Sequence, residues 1–448
     1  MKKVIKFFRT FLKKKTKEVY TTNSVFKTSG VPEYTFITRD ILTEEIDEYL
    51  ETKDGVLLFL GYSKSGKTVF RKKHIDDNKS FNTITFRGNK DSTIDLLYSY
   101  IAKESKLGQP SEVVDSTKKA NKKINEQQVG NKNIGHIKEE KIAEDENSST
   151  YKKQLYASSL DVNFLCNELK GKNILIIIED YHLINNEFNK LLSEDLKHFL
   201  DEEILFLLIG IPSTPNRTLK NNPDLSGRMK HISFDYLSIE EIKELISKGT
   251  SLLNVEFNED IINEIIKVSF RNAYLVQFIC KTILQNNKIT KTQNEKIKFA
   301  DTQNVNDACI EIAKILNDDY SGIYDVIAAG GRTRNNVKTF DPYIEILLAI
   351  KDNDIKVLEN GLDYKVISNA TWQKVTKEQV DSLIKDETYQ SEKSFKSSVN
   401  TKIKNAVNNI NDNLEKNSTK PILYVTDDSL YLTDLIFKFY INWRTNSI

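Results

Sequence analysis

The run Gly61-Tyr62-Ser63-Lys64-Ser65-Gly66-Lys67-Thr68 carries the most chemistry per residue in this sequence. It is G-x-x-x-x-G-K-[ST] without a mismatch. Its glycines let the backbone curl until successive N–H groups face a phosphate. A helix starting there would add the positive end of its dipole. Lys67 supplies a point charge for the β- and γ-phosphates, and the Thr68 hydroxyl is sized to ligate Mg2+. Gly61, Ser63, Lys64, Ser65, Gly66, Lys67, Thr68 and Val69 are therefore the expected nucleotide cradle.

A phosphate cradle needs acids beside it. Residues 173–180 read Asn-Ile-Leu-Ile-Ile-Ile-Glu-Asp. The aliphatic run fits a central parallel strand buried on both faces. Glu179 and Asp180 then stand at its C-terminal end, where open α/β sheets bind ligands. Glu179 is expected on Mg2+ through water, and Asp180 on the attacking water; the reverse assignment stays open. Lys67, Glu179 and Asp180 form the expected catalytic set.

These residues need a sheet to hold them. Residues 55–60, Gly-Val-Leu-Leu-Phe-Leu, read as the buried strand before the loop, and Val69 to His74 as the helix after it. Phe81 to Phe86 alternates like a strand, Ile204 to Ile209 is another apolar run, and His231 to Phe234 a short further strand. After the Ile204 to Ile209 run, Ser213, Thr214 and Asn216 are candidates for the γ-phosphate or the water, set against a simple turn. Arg228 is set between an arginine finger and a surface residue.

Residues 238–285 show helical periodicity, with Ser238 as an N-cap and early acids at Glu240 and Glu241. Helices are expected at 259–269 and 272–285, as a lid over the nucleotide. Residues 104–154 are polar and nearly without aromatics, which marks an insert in the core that cannot fold alone. Helical segments follow near 304–317, 342–351 and 376–385. A longer helix carries Phe395, Val399, Ile403, Val407, Ile410 and Leu414 on one stripe and Lys396, Lys402 and Lys404 on its other face. Pro421 to Val425 and Leu430 to Leu432 read as a hairpin. Helices followed by a hairpin suggest a winged helix, whose long helix would enter a DNA groove.

The expected fold is thus α/β: a P-loop NTPase parallel sheet with a helical lid, then a mainly α, winged-helix-like domain. The expected bounds are 1–22 for a basic amphipathic segment, 23–237 for the ATPase core, 238–300 for the lid and 301–448 for the last domain. Residues 2–13 place Val4, Ile5, Phe7, Phe8, Phe11 and Leu12 on one helical arc and Lys2, Lys3, Lys6, Arg9 and Lys13 on the other. That pattern suits anionic lipid or a docked protein, so residues 1–17 are a candidate peripheral contact.

The bulk properties narrow the classes. The 448 residues suit two or three domains, and a net charge of +1 excludes a wholly basic nucleic-acid binder. Cys166, Cys280 and Cys309 are far apart and read as core thiols of a reducing compartment. No Cys/His spacing suggests zinc, no apolar run has the ~20 residues of a membrane span, and no secretory signal is evident. A cytoplasmic placement, peripheral to a membrane at most, is expected.

The order of motifs resembles that of prokaryotic ATPases of the AAA+/STAND type. Phe36-Ile37-Thr38-Arg39 is similar to their Arg-containing box beside the adenine pocket, which implies that Arg39 borders the base. Ile176 to His182 is similar to their acidic strand end. Asn272-Ala273-Tyr274-Leu275-Val276-Gln277 resembles their lid helix "G-x-P-x-L-x-Q", with Asn272 and Tyr274 in place of Gly and Pro. Leu432 to Tyr440 resembles the "D-P-x-F-x-x-Y" ending of their winged-helix domain, with Leu435 in place of Pro. The resemblance covers most of residues 25–444 outside the insert. It implies ATP and Mg2+ as ligands, homo-oligomers, and a slow regulatory switch of the kind used in defence or signalling. A DNA-binding ATPase of the replication-initiator or transposition-helper kind is the alternative, with DNA held by the C-terminal domain. A small-molecule kinase, the third reading, would need an acceptor pocket.

Overall fold

The computed structural model describes residues 18–53, 55–77, 80–107, 161–211, 225, 227–234, 236–330, 340–385, 390–416, 422–426 and 428–445. The amphipathic segment expected at 1–17, most of the polar insert, and the candidates Ser213, Thr214 and Asn216 lie outside the described residues.

Helix α1 (Asp40–Thr52) leads into strand β1 (Val56–Leu60), the phosphate loop and helix α2 (Lys67–Phe70), which continues as a π-helix over Arg71–Asp76. Then come β2 (Asn82–Arg87), α3 (Ile94–Glu104), α4 (Val162–Leu169), β3 (Ile174–Glu179), α5 (Asn186–Asp201), β4 (Leu205–Gly210) and β5 (Met229–Ser233). The five strands make one parallel sheet in the order β2-β3-β4-β1-β5. Every residue of β1, β3 and β4 is buried, as expected of interior strands covered on both faces. Alternate residues serve opposite layers. Leu58, Ile176, Ile178 and Leu208 meet α3, α4 and α5; Leu57, Leu175, Ile177 and Leu207 meet Ile46, Tyr49 and Leu50 of α1. The chain is a P-loop NTPase-type α/β structure.

The register sets which strand ends meet. Leu60 is level with Gly210 and Ser233, and Arg87 is level with Glu179. All the parallel strands therefore end on the side where the phosphate loop leaves β1.

The next group is helical: α6 (Ile239–Leu253), β6 (Val255–Phe257), α7 (Glu259–Val268) and α8 (Ala273–Asn286), with β7 (Ile297–Phe299) parallel to β6. Ser238 caps α6 in a capping box with Glu241, and the side chains of Asn258 and Asn272 cap α7 and α8. The stretch before the sheet docks here too. Thr22 N–H donates to Thr290 O at 2.9 Å, and Phe26 is fully buried against Gly249. Residues from 27–37 thereby border the same cavity as the loop after β1.

The remainder comprises α9 (Gln303–Ile315), α10 (Asn317–Ala329), α11 (Pro342–Asp352), α12 (Ile355–Asn360), β8 (Leu362–Asp363), α13 (Tyr364–Lys374), α14 (Lys377–Lys385), α15 (Glu392–Asn408), α16 (Ile410–Lys416), β9 (Leu423–Thr426), β10 (Ser429–Leu432) and α17 (Leu435–Trp443). Strands β8, β10 and β9 form an antiparallel sheet in that order. One continuous core runs from Leu275 and Ile279 of α8 through Val305 and Ile312 of α9 to Phe437 and Tyr440 of α17. The long helix ends earlier than its apolar stripe predicts. It stops at Asn408, and Ile410 and Leu414 lie buried on a separate helix. Asn408-Asn409 is a weak helical pair, and the break re-aims the stripe onto the same core.

Candidate functional site

The phosphate loop is shaped by close approach. Gly61 has φ of +156°, and a Cβ there would sit 2.7 Å from Ser65 Oγ and 2.8 Å from Phe234 O. Gly66 has φ of +98° at the N-cap of α2. Lys67 folds onto its own loop, donating from Nζ to Gly61 O and Tyr62 O at 2.6 Å each. Burial lowers its pKa to about 7, and the charge of Asp180 opposes that shift.

Beside the loop is a cavity of about 630 Å3. Ser63, Lys64, Ser65, Gly66, Lys67, Thr68 and Val69 line it, as do Glu179, Asp180 and Arg39. Gly61 stands behind the wall and reaches the site through its carbonyl on Lys67. The residues picked out by spacing, more than a hundred positions apart, are thus brought around one space.

Glu179 closes β3 and is buried. Arg71 Nη2 lies 3.4 Å from its Oε1, and Arg87 Nη2 lies 3.4 Å from its Oε2. Arg87 Nε is also 3.7 Å from Asp180, which takes φ of +55° just after the strand. Arg71 itself is 5% exposed and is steadied by Thr85 Oγ1 at 2.9 Å and Asp76 at 3.2 Å. Glu179 Oε1 is buried, and Arg71 Nη2 faces it at 3.4 Å without making a hydrogen bond. An anionic oxygen with lone pairs to spare is suited to a cation in the cavity, and Thr68 shares that cavity. Among the described residues no three His, Cys, Asp or Glu converge to hold a metal. That donor set fits Mg2+, which takes one or two protein oxygens and completes its shell with phosphate and water.

The opposite wall comes from the lid. Asn272 Nδ2 donates to Lys64 O at 3.3 Å, and Lys64 Nζ stands 4.0 Å over the Tyr274 ring. Tyr274 and Gln277 line the cavity, with Val31, Pro32 and Ile37 from the chain ahead of the sheet. Arg39 Nε is 3.2 Å from Glu241 Oε1, which ties the box before the loop to the lid. Thr433 and Asp434, between β10 and α17, reach the same cavity. Asp434 is buried, caps Ile436 N–H at 2.9 Å and accepts from Tyr320 Oη at 2.9 Å.

Arg228 takes the surface reading within its own chain. Its carbonyl accepts from Val56 N–H at 2.7 Å, before β5 begins, while the phosphate loop leaves the far end of β1. Its Nη1 lies 3.6 Å from Asp201. In its own chain it cannot reach the cavity beside the loop, because parallel strands put their starts and ends on opposite edges. Arg71 and Arg87 were not among the candidates, and Tyr274 and Gln277 stood in the lid-helix resemblance without a site role. An arginine in the first turns of the loop helix was the one legible signal; the rest depends on packing between distant segments.

The chain is similar to a Walker-type ATPase of Pyrococcus abyssi, at 12% identity and TM-score 0.48, covering 93% of this chain and 99% of that one. It is similar to Cdc6p of Pyrobaculum aerophilum, at 14% identity and TM-score 0.40, covering 94% and 96%. It is also similar to the Aeropyrum pernix Orc1 protein, solved in complex with DNA, at 12% identity and TM-score 0.40, covering 95% and 97%. No protein-family model and no curated protein matches the chain.

Proposed function

We propose that this chain binds and hydrolyses ATP with Mg2+, and that the state of the nucleotide sets the relation of the lid and C-terminal helices to the sheet. One observation carries this reading. The phosphate loop, the acid pair, the lid and the C-terminal Thr433 and Asp434 all border one cavity. A triphosphate seated there contacts every moving part, so binding can favour one arrangement over another.

The chemistry follows from the residues. Lys67 leaves its two loop carbonyls for the β- and γ-phosphates. Loop N–H groups hold the phosphate oxygens. Glu179 and Thr68 hold the metal, whose charge would offset that developing on the phosphates. Asp180 orients the attacking water and accepts its proton. Arg39 borders the base, as its place on the cavity wall supports. In hydrolysis, the bond from the γ-phosphorus to the bridging oxygen breaks as water oxygen bonds to phosphorus, leaving ADP and phosphate.

Of the two uses weighed for such an ATPase, DNA binding has a specific observation behind it. The exposed side of α15 carries Lys393, Lys396, Asn400, Lys402 and Asn405. Glu392 is the single acid on that helix. The helix adjoins the β9–β10 hairpin, an order that suits a winged helix. Lys404 drops out of the set, since it pairs with Asp428. Among the described residues no helix is long and apolar enough to cross a membrane.

The test is ATP binding and turnover by the full chain, with Lys67→Ala and Asp180→Ala alongside, with and without duplex DNA. Loss of turnover in both variants, with binding kept in Asp180→Ala, supports the ATPase. Salt-dependent DNA binding that weakens in Lys393→Ala/Lys396→Ala/Lys402→Ala supports the DNA reading. DNA binding indifferent to that triple change returns the reading to a switch acting on another partner.

A further inference from the structure

We propose that Gln277 reads the edge of the nucleotide base, as a hydrogen-bond donor to an acceptor nitrogen of the purine ring. The inference rests on the nucleotide reading of the cavity and adds what selects the base.

The orientation of the amide is fixed by its neighbours. Lys27 N–H donates to Gln277 Oε1 at 3.0 Å, and Thr35 Oγ1 donates to the same oxygen at 2.9 Å. A backbone N–H can only donate, so the side it faces must be the carbonyl oxygen. The amide nitrogen is therefore turned away from both. Gln277 is 5% exposed and lies on the cavity wall. Among the described residues its nitrogen finds no hydrogen-bond partner, and it is not sealed off from the cavity. Two N–H bonds on a side chain held this firmly are a directed, donor-only feature. A donor held in place on the cavity wall favours a ligand that sets an acceptor against it.

Its place suits the base and not the phosphates. Tyr274 meets Lys64 of the phosphate loop, and Gln277 comes about one helical turn later on α8. The same cavity is lined by Val31, Pro32 and Ile37, apolar residues that accommodate a flat ring, and they belong to the stretch whose Lys27 and Thr35 hold Gln277. Adenine offers ring nitrogens as acceptors there, and base-free triphosphate offers none.

The experiment uses the full chain and a ribose-labelled fluorescent ATP analogue, displaced by ATP, by ribose 5-triphosphate and by tripolyphosphate. Gln277→Glu keeps an acceptor for Lys27 and Thr35 while replacing the donor by a carboxylate oxygen. The expected result is that ATP binds about tenfold more weakly to the variant, with ribose triphosphate unchanged. Equal weakening of both ligands, or of neither, overturns the inference, since a merely structural tie would not separate them. Wild-type chain measured with 1-deaza-, 3-deaza- and 7-deaza-ATP covers a variant that fails to fold. One of the three should lose about tenfold, and no loss in any overturns the inference. Failure of wild type to bind any of these ligands would instead remove the nucleotide reading itself.

Discussion

Arg71 and Glu179 face each other at 3.4 Å across the boundary between the phosphate-loop helix and the acid strand. Both are buried, with side-chain exposures of 5% and 9%. A charge pair so withdrawn from water holds only while both members are present. It joins the helix that follows the phosphate loop to the strand that carries the acids, so displacement of one is felt by the other.

Arg71→Met leaves Glu179 with Arg87 alone, and that arginine is mostly exposed. Breaking a buried pair by removing one partner costs about 3–5 kcal/mol. Denaturant unfolding should show a lower midpoint with an unchanged slope. A midpoint equal to wild type would mean that water reaches Glu179 and that the pair is not a tie.

Lys67 with a pKa of about 7 should make nucleotide binding proton-linked. The lysine is largely neutral at pH 8 in the free protein, and a triphosphate favours its charged form. Calorimetry in buffers of different ionisation heat should therefore detect proton uptake on ATP binding at pH 8. At pH 6 the lysine is already charged and uptake by it should vanish. Lys67→Ala should remove the pH 8 signal.

Lys438 is buried and donates to Ile350 O, Lys351 O and Asn353 O at 2.8–2.9 Å. Burial lowers its pKa to about 8 against an ordinary 10.5. The sign follows from the proton count. Between these two values the unfolded chain holds the proton more than the folded one, so this group makes stability rise with pH in that window. Lys438→Met should cost about 1–3 kcal/mol by stranding carbonyls at the end of α11. It should also flatten the difference in stability between pH 8 and pH 10. A pH dependence identical to wild type would place the titration elsewhere.

Gly249→Ala should weaken the wall of the cavity at a distance. A Cβ there would lie 2.2 Å from Phe26 Cζ, far inside contact distance. Alanine gains about 1 kcal/mol in helix propensity, while overpacking costs about 1–3 kcal/mol. The clash should win, lowering the melting temperature and weakening ATP binding as residues 27–35 shift. A more stable variant with unchanged ATP affinity would show that Phe26 turns aside freely.

The phosphate loop and the acid strand were legible because each is a local device. Gly61 to Thr68 shapes its cradle from its own backbone, and five aliphatic residues before Glu179 define a buried strand and its end. The lid cap at Ser238 is equally local. Helix α13 was not legible, because its burial is confined to Ile367, Ser368 and Thr371, too short an apolar stripe to show a period. Helix α10 was not legible, and the lone Gly322 within it lowers its local helical signal. Arg228 stayed between two readings because only the parallel register of β1 and β5 fixes which edge of the sheet it occupies. The pairing of Arg71 with Glu179 joins the π-helix after the phosphate loop to the end of β3, and the bonds from Lys27 and Thr35 to Gln277 span separations of 250 and 242 residues. The sequence by itself determined the kind of chemistry, since residue type and short spacing suffice for a phosphate cradle. Which side chains close around it was decided by the tertiary structure alone, because packing of distant segments, and not spacing, sets those distances.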